Sequence, residues 1–343
     1  MSASVSAPRS RSRTPGYGFP AAAFLAVAGK EIRDAFRDRT LLILTLALTG
    51  LVAVSVLGAS FAFHDKVTAY QAAVAQLKAA GQPTNILTVP QYSPLQMLRN
   101  SIEYIEIVGA VLAVLLGHLS VARERRSRTM DLILTRPVHP LAYIGGKIAG
   151  AAVLLTAVSA VLFGFAGLSL GLLGSVPLTG AEWVKVLTAA AAAAAYLMIF
   201  FLTGAALAAV IGNQSAALVL ALALWVAFVL VLPQIGDTMD VDNMVPGGLF
   251  NSLHLAKDQQ STVLGHLQGY EWVRNATEVL SPTKHFERLD FAVLGIKDMY
   301  NGHPLAEILR ARADNTITLA CVLTAALAAT VTGFALKRND WRN

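Results

Sequence analysis

Apolar residues run along this chain in long blocks parted by short charged or polar stretches. Five blocks come close to or exceed the length of a membrane span: 41–63, 104–122, 148–173, 187–211 and 317–336. A helix rising about 1.5 Å per residue needs roughly 20 residues to cross about 30 Å of hydrocarbon. A sixth block, 216–232, is shorter, but Trp225, Phe228 and the closing Pro233 suit a span that ends at a membrane interface. Asn213, Gln214 and Ser215 leave room only for a tight turn in front of it. The pattern predicts an all-α polytopic membrane protein of about six transmembrane helices.

Between the blocks the pattern changes in ways that predict the remaining elements. Residues 1–27 read as a basic flexible tail rich in Ser, Arg and Pro. Lys30 to Arg39 alternates charges around Ile32, Ala35 and Phe36, which share one face at helical spacing; residues 28–40 are therefore expected as an interfacial helix leading into the first span. Five spans then occupy residues 41–233, interrupted by an outside stretch, 64–102, with an Ala/Gln-rich helical passage at 67–80 followed by Pro83, Pro90 and Pro94. Residues 234–316 are of mixed polarity, with turn signals at Pro246, Gly247 and Gly248 and helical patterning from Leu267 to Val279. They are expected as a helical extracytoplasmic domain, and residues 317–343 as the last span and a cytoplasmic tail.

Composition agrees with lipid as the solvent: 55% of the 343 residues are hydrophobic, 14% are charged, and the mean hydropathy is +0.57. The net charge of +6 matters less than its placement. With both termini in the cytoplasm, the inner segments hold sixteen Lys and Arg against six Asp and Glu, and the outer ones eleven against fifteen. That asymmetry obeys the positive-inside rule for a plasma-membrane protein, and it assigns the basic residues to anionic lipid rather than nucleic acid.

Chemistry is sparse. The single cysteine, Cys321, excludes an intrachain disulfide, and neither a Cys/His zinc spacing nor HExxH occurs. Histidines 64, 254, 266, 285 and 303 match no ligand motif, so no metal is expected. A phosphate-binding loop needs GxxxxGK followed by Ser or Thr, and neither Gly-Lys pair meets this: Gly146-Lys147 has Leu141 at the first glycine position and Ile148 at the hydroxyl position, and Gly29-Lys30 has Phe24 and Glu31. The chain is thus not expected to hydrolyse ATP or to hold a cofactor, and its energy must come from a partner or an ion gradient. Glu103 and Glu106 stand one turn apart at the outer end of the second span, within reach of lipid headgroups; a proton relay is the alternative. The near absence of charge deeper in the spans favours ATP over an ion gradient.

The most informative stretch is the cytoplasmic loop 123–140, which opens with Arg123-Glu-Arg-Arg and then places Met130, Leu132, Ile133 and Leu134 in a short helix that Pro137 ends. Its physics allows either a docking element or a helix lying on anionic headgroups. The residues Glu124-Arg-Arg-Ser-Arg-Thr129, Met130-Asp-Leu-Ile-Leu-Thr-Arg-Pro-Val138 and Gly145-Gly-Lys147 resemble the ABC-2 type exporter permeases, including those of the nitrous oxide reductase maturation type. The family pattern there reads E-R-E-x-G-T-L-x-x-L-L-S-x-P-V, and this chain departs from it with Arg126 for the second Glu and Arg128 for the Gly. Lys30-Glu-Ile-Arg-Asp-Ala-Phe-Arg37 and Leu280-Ser-Pro282 extend the resemblance to both ends of the chain.

The resemblance implies that residues 123–137 form a coupling helix seated in a groove of a separate ATP-hydrolysing subunit, which binds the ATP and Mg. Glu124, Arg125, Arg126, Thr129, Met130, Asp131, Leu134 and Pro137 would make that contact. It also implies a second permease chain, identical or related. The competing expectation is a membrane-anchored assembly or sensing protein whose outer domain binds a partner.

Overall fold

The computed structural model describes residues 21–81, 94–127, 140–173, 177–245, 248–296 and 300–337. Among them there is no strand, and six helices are long and apolar enough to cross a membrane: Leu42–Ala79, Pro94–Arg126, Leu141–Leu173, Gly180–Val210, Gln214–Thr238 and Ala313–Leu336. They are referred to below as the first to sixth spans. The chain is an all-α polytopic membrane protein.

The second and fourth spans form the centre. Their most apolar stretches are 61% and 67% buried within the chain, against 17% for the first and the fifth, so the outer spans offer their apolar faces to lipid or to another chain. What lets the central pair approach is glycine. A Cβ on Gly117 would sit 1.9 Å from the Phe201 carbonyl oxygen, and one on Gly204 would sit 2.3 Å from that of Val114. The two backbones touch, the geometry that small residues permit in lipid. Leu112, Val114, Val121, Leu197, Phe201 and Leu202 fill the core around this crossing.

Two expected boundaries shift. The helix leading into the first span begins at Ala21 and runs to Arg37, taking in residues assigned to the flexible tail. It lies along the third span, where Gly146 and Gly150 bring the backbone against Phe24, Val27 and Ala28. The Ala/Gln-rich passage at 67–80 is helical, as expected, and continues the first span without a break in a single helix Arg39–Ala79. At 1.5 Å per residue its 41 residues extend about 60 Å, twice the hydrocarbon thickness.

Between the fifth and sixth spans stand the short helices Lys257–His266, Gln268–Val279, Pro282–Val293 and Leu305–Ala311, of which Pro282–Val293 is buried along most of its length against the fourth and sixth spans. Pro282 starts it with φ already set for a helix. Ser281 Oγ donates to the Phe228 carbonyl at 2.6 Å and Thr283 Oγ1 at 3.2 Å. Phe228 belongs to a π-helical segment, Val226–Val231, and a second such segment, Ile105–Gly109, interrupts the second span. There the Glu106 carbonyl accepts from Tyr196 at 2.9 Å, and the Tyr196 ring stacks on Phe286 with centroids 4.5 Å apart. The glutamate expected among lipid headgroups, Glu106, is buried instead, with Glu287, Lys284 and Asp290 of Pro282–Val293 within electrostatic reach.

Candidate functional site at the roots of the 123–140 loop

Residues 128–139 lie outside the described residues, and with them five of the predicted docking residues, Thr129, Met130, Asp131, Leu134 and Pro137. The two roots from which this loop leaves and returns are described in detail. The last turns of the second span carry Arg123, Glu124, Arg125 and Arg126; the first turns of the third carry Tyr143 and Lys147; the leading helix brings Lys30 and Glu31.

These elements meet in one buried charge cluster. The side chains of Lys147 and Glu124 are 4% and 5% exposed. Lys147 Nζ lies 2.5 Å from Glu31 and 3.1 Å from Glu124, and donates to the Ser120 carbonyl at 2.9 Å. Lys30 and the Tyr143 hydroxyl both donate to the Glu124 carboxylate. Lys30, partly exposed, also pairs with Asp34 at 3.5 Å, so two ammonium groups stand among three carboxylates, with Lys147 and Glu124 the most buried of them. Desolvating each ion costs several kcal/mol, which only close pairing and full hydrogen bonding offset. Burial holds the Glu31 carboxyl above the usual carboxylate range, with Lys147 pulling the other way. Burial alone would lower Lys30, but its bond to Glu124 and the charges of Glu124, Glu31 and Asp34 outweigh it and hold the ammonium above its ordinary range.

Around the cluster the other predicted residues divide. Arg125 reaches across to the C-terminal end of the fourth span, donating to the Ala208 and Ile211 carbonyls at 2.7 and 2.8 Å; Gln214 donates to the same two oxygens at 3.2 and 3.1 Å. These are the terminal carbonyls that a helix leaves unpaired, and a cation is the favoured partner there. Asn213, with Oδ1 accepting from the backbones of Ser215 and Ala216, opens the fifth span, so the tight turn read from the sequence is capped on both sides. Arg123 pairs with Asp38 at 2.7 Å, and Arg126 is exposed.

Of the predicted docking residues, therefore, Arg126 faces outward, Arg125 ties the loop root to the fourth span, and Glu124 points into the protein. Pattern reading found Glu124 but not its partners. Lys30-Glu31 and Gly146-Lys147 were visible as separate motifs, and the signal that could have joined them is a lysine standing inside an otherwise apolar span, which requires an acid nearby. Beside the cluster, an apolar groove of about 280 Å³ runs between the leading helix and the first four spans, lined by residues such as Leu48, Leu112, Leu155 and Leu162.

Six helices long and apolar enough to cross a membrane, with a buried ionic cluster at the base of the basic 123–140 loop, describe a polytopic membrane protein. The chain belongs to the ABC-2 family transporter proteins, whose sequence profile matches residues 25–341. A comparison with curated protein sequences gives no match.

Proposed function

We propose that this chain is the membrane-spanning subunit of an ATP-driven exporter of the plasma membrane. A separate ATP-hydrolysing subunit, which holds the ATP and Mg, docks on the loop at 123–137, and the chain works paired with a second copy or a related chain. The observation that carries the reading is the buried cluster of Glu124, Lys147, Glu31 and Lys30. It joins both roots of the loop to each other and to the leading helix, so a push on the loop cannot be absorbed by one helix end. The motion passes to the second span, the third span and the leading helix together.

In this reading Met130 and Leu134 fill the partner's groove and Thr129 caps the short helix, with Asp131 and Arg126 orienting the approach. Glu124 and Arg125 serve from inside, fixing the loop root to its neighbours. Both termini are cytoplasmic, as the distribution of Lys and Arg favours. The first and fifth spans, whose apolar faces are the least covered, supply area for lipid and for the second chain. An anchoring or sensing role for the outer region has less support, since its buried helix Pro282–Val293 is part of the bundle rather than a free binding domain.

The test is uncoupling. In vesicles containing the assembled transporter, Met130→Asp combined with Leu134→Asp is expected to leave insertion and folding intact while transport falls at least about tenfold, the equivalent of about 1.4 kcal/mol of lost coupling. Unchanged transport would remove this segment from the mechanism.

A further inference from the structure

The outer end of the bundle holds a second set of buried charged groups, distinct from the loop roots. Glu106 lies in the π-helical segment of the second span and is 7% exposed; Asp290 on Pro282–Val293 is 0% exposed. Neither oxygen of Asp290, nor Oε1 of Glu106, has a hydrogen-bonding partner among the described residues. Thr283, Glu287 and Asp290 follow one another at four- and three-residue spacing along one face of their helix, and Thr283 stands 3.1 Å from the Tyr196 hydroxyl that bonds the Glu106 carbonyl. Glu106 is accordingly within electrostatic reach of Asp290, Glu287 and Lys284.

The cations nearby are engaged elsewhere. Lys284 pairs with Asp237 and Glu287, each at 2.8 Å, and Arg99 pairs with Glu103 at 3.2 Å while its guanidinium lies over the Phe291 ring. Arg288 pairs with Glu278 of the neighbouring outer helix, with Arg312 and Asp314 close to it. His285 bonds Asn315 of the sixth span and the Val279 carbonyl. From the fourth span the titratable group is Tyr196, whose hydroxyl is already bonded. An ionised carboxylate buried without a partner is strongly disfavoured, and the group takes up a proton instead.

We propose that Glu106 and Asp290 form a proton-binding site that fastens Pro282–Val293 over the two π-helical segments. Each carboxyl keeps its proton while the helix is seated; as the helix lifts, the O–H bond breaks and the proton passes to water. Two independent features agree with this. Burial pushes the Asp290 carboxyl well above the usual carboxylate range. The segments beneath the helix, Ile105–Gly109 and Val226–Val231, touch one another, and π-helical turns of this kind recur where helices bend at functional sites.

The sign of the pH dependence follows. A carboxyl that binds its proton more tightly folded than unfolded stabilises the seated state most at pH below its unfolded value of about 3.9, and that stabilisation is lost as pH rises towards the folded value. The experiment uses the solubilised full-length chain and needs neither nucleotide nor substrate, so its failure would leave the transport reading standing. The infrared carbonyl band of a protonated, buried carboxylic acid should persist near neutral pH, weaken in Asp290→Asn and in Glu106→Gln, and disappear in the double variant. Thermal midpoints should fall as pH rises from about 5 to about 9 in the unaltered chain, with at least half of that fall removed in Asp290→Asn. Absence of the band, a band untouched by both substitutions, or a midpoint raised by sodium or calcium ions at fixed pH would overturn the proton site.

Discussion

Replacing Lys147 by Met is expected to cost about 3–5 kcal/mol of stability, the range seen when one partner of a buried ion pair is removed. The ammonium stands between Glu31 and Glu124, at 2.5 and 3.1 Å, and also satisfies the Ser120 carbonyl. Met fills much the same volume but leaves two carboxylates facing one another with Lys30 as the remaining cation between them. The thermal midpoint of the solubilised chain should drop by several degrees. Adding Glu124→Gln to Lys147→Met should recover part of the loss, because the second change removes one of the stranded charges. If the single variant unfolds at the same temperature as the unaltered chain, the cluster does not lock the loop roots. Lys147→Arg should fall between the two: it keeps the charge, but the planar guanidinium does not fit a pocket shaped for a compact ammonium.

The second large effect is steric. Gly117→Ala and Gly204→Ala each place a methyl group where a carbonyl of the facing span already stands, 1.9 Å and 2.3 Å from the new carbon. No side-chain rotation relieves such an overlap, since both sides are backbone. The central spans must separate, at a cost of about 1–3 kcal/mol or more for an overpacked core. Gly164→Ala is the matched control, in the third span with no described residue within 4 Å of the added carbon. There the loss of a helix-interior glycine should stabilise by about 0.5–1 kcal/mol. Yield and midpoint of the purified variants distinguish the cases, and equal behaviour of Gly117→Ala and Gly164→Ala would mean that the second and fourth spans do not cross in contact.

Both effects bear on how much the sequence reveals. Spans were legible because bilayer thickness imposes a length that composition alone can report, although the fifth runs on through Pro233, which the sequence suggested as its end, to Thr238. The turn at Asn213 to Ser215 was legible because few residues can bridge two helix ends. Glu124 could be picked out from its motif, but its surroundings depend on how the leading helix lies against the third span, a contact made through Gly146 and Gly150 and invisible to hydropathy. For the same reason Glu106 read as headgroup-solvated: nothing local announces that Pro282–Val293, more than 170 residues later, returns within electrostatic reach of it. Patterning marked the helix at 267–279 but not Pro282–Val293, since a stretch with Lys284, Glu287 and Arg288 reads as solvated until its partners Asp237 and Glu278 are placed.

The central claim, that a soluble ATPase drives these spans through the loop rooted at Glu124 and Lys147, is tested most directly by recovering the solubilised chain from its native membrane and identifying by mass spectrometry what comes with it. An ATP-hydrolysing subunit is expected with the unaltered chain, and it should be lost from the Met130→Asp, Leu134→Asp variant while the folded permease is still recovered. Recovery of a partner bound only to the outer surface, with no ATPase in either sample, would contradict the account.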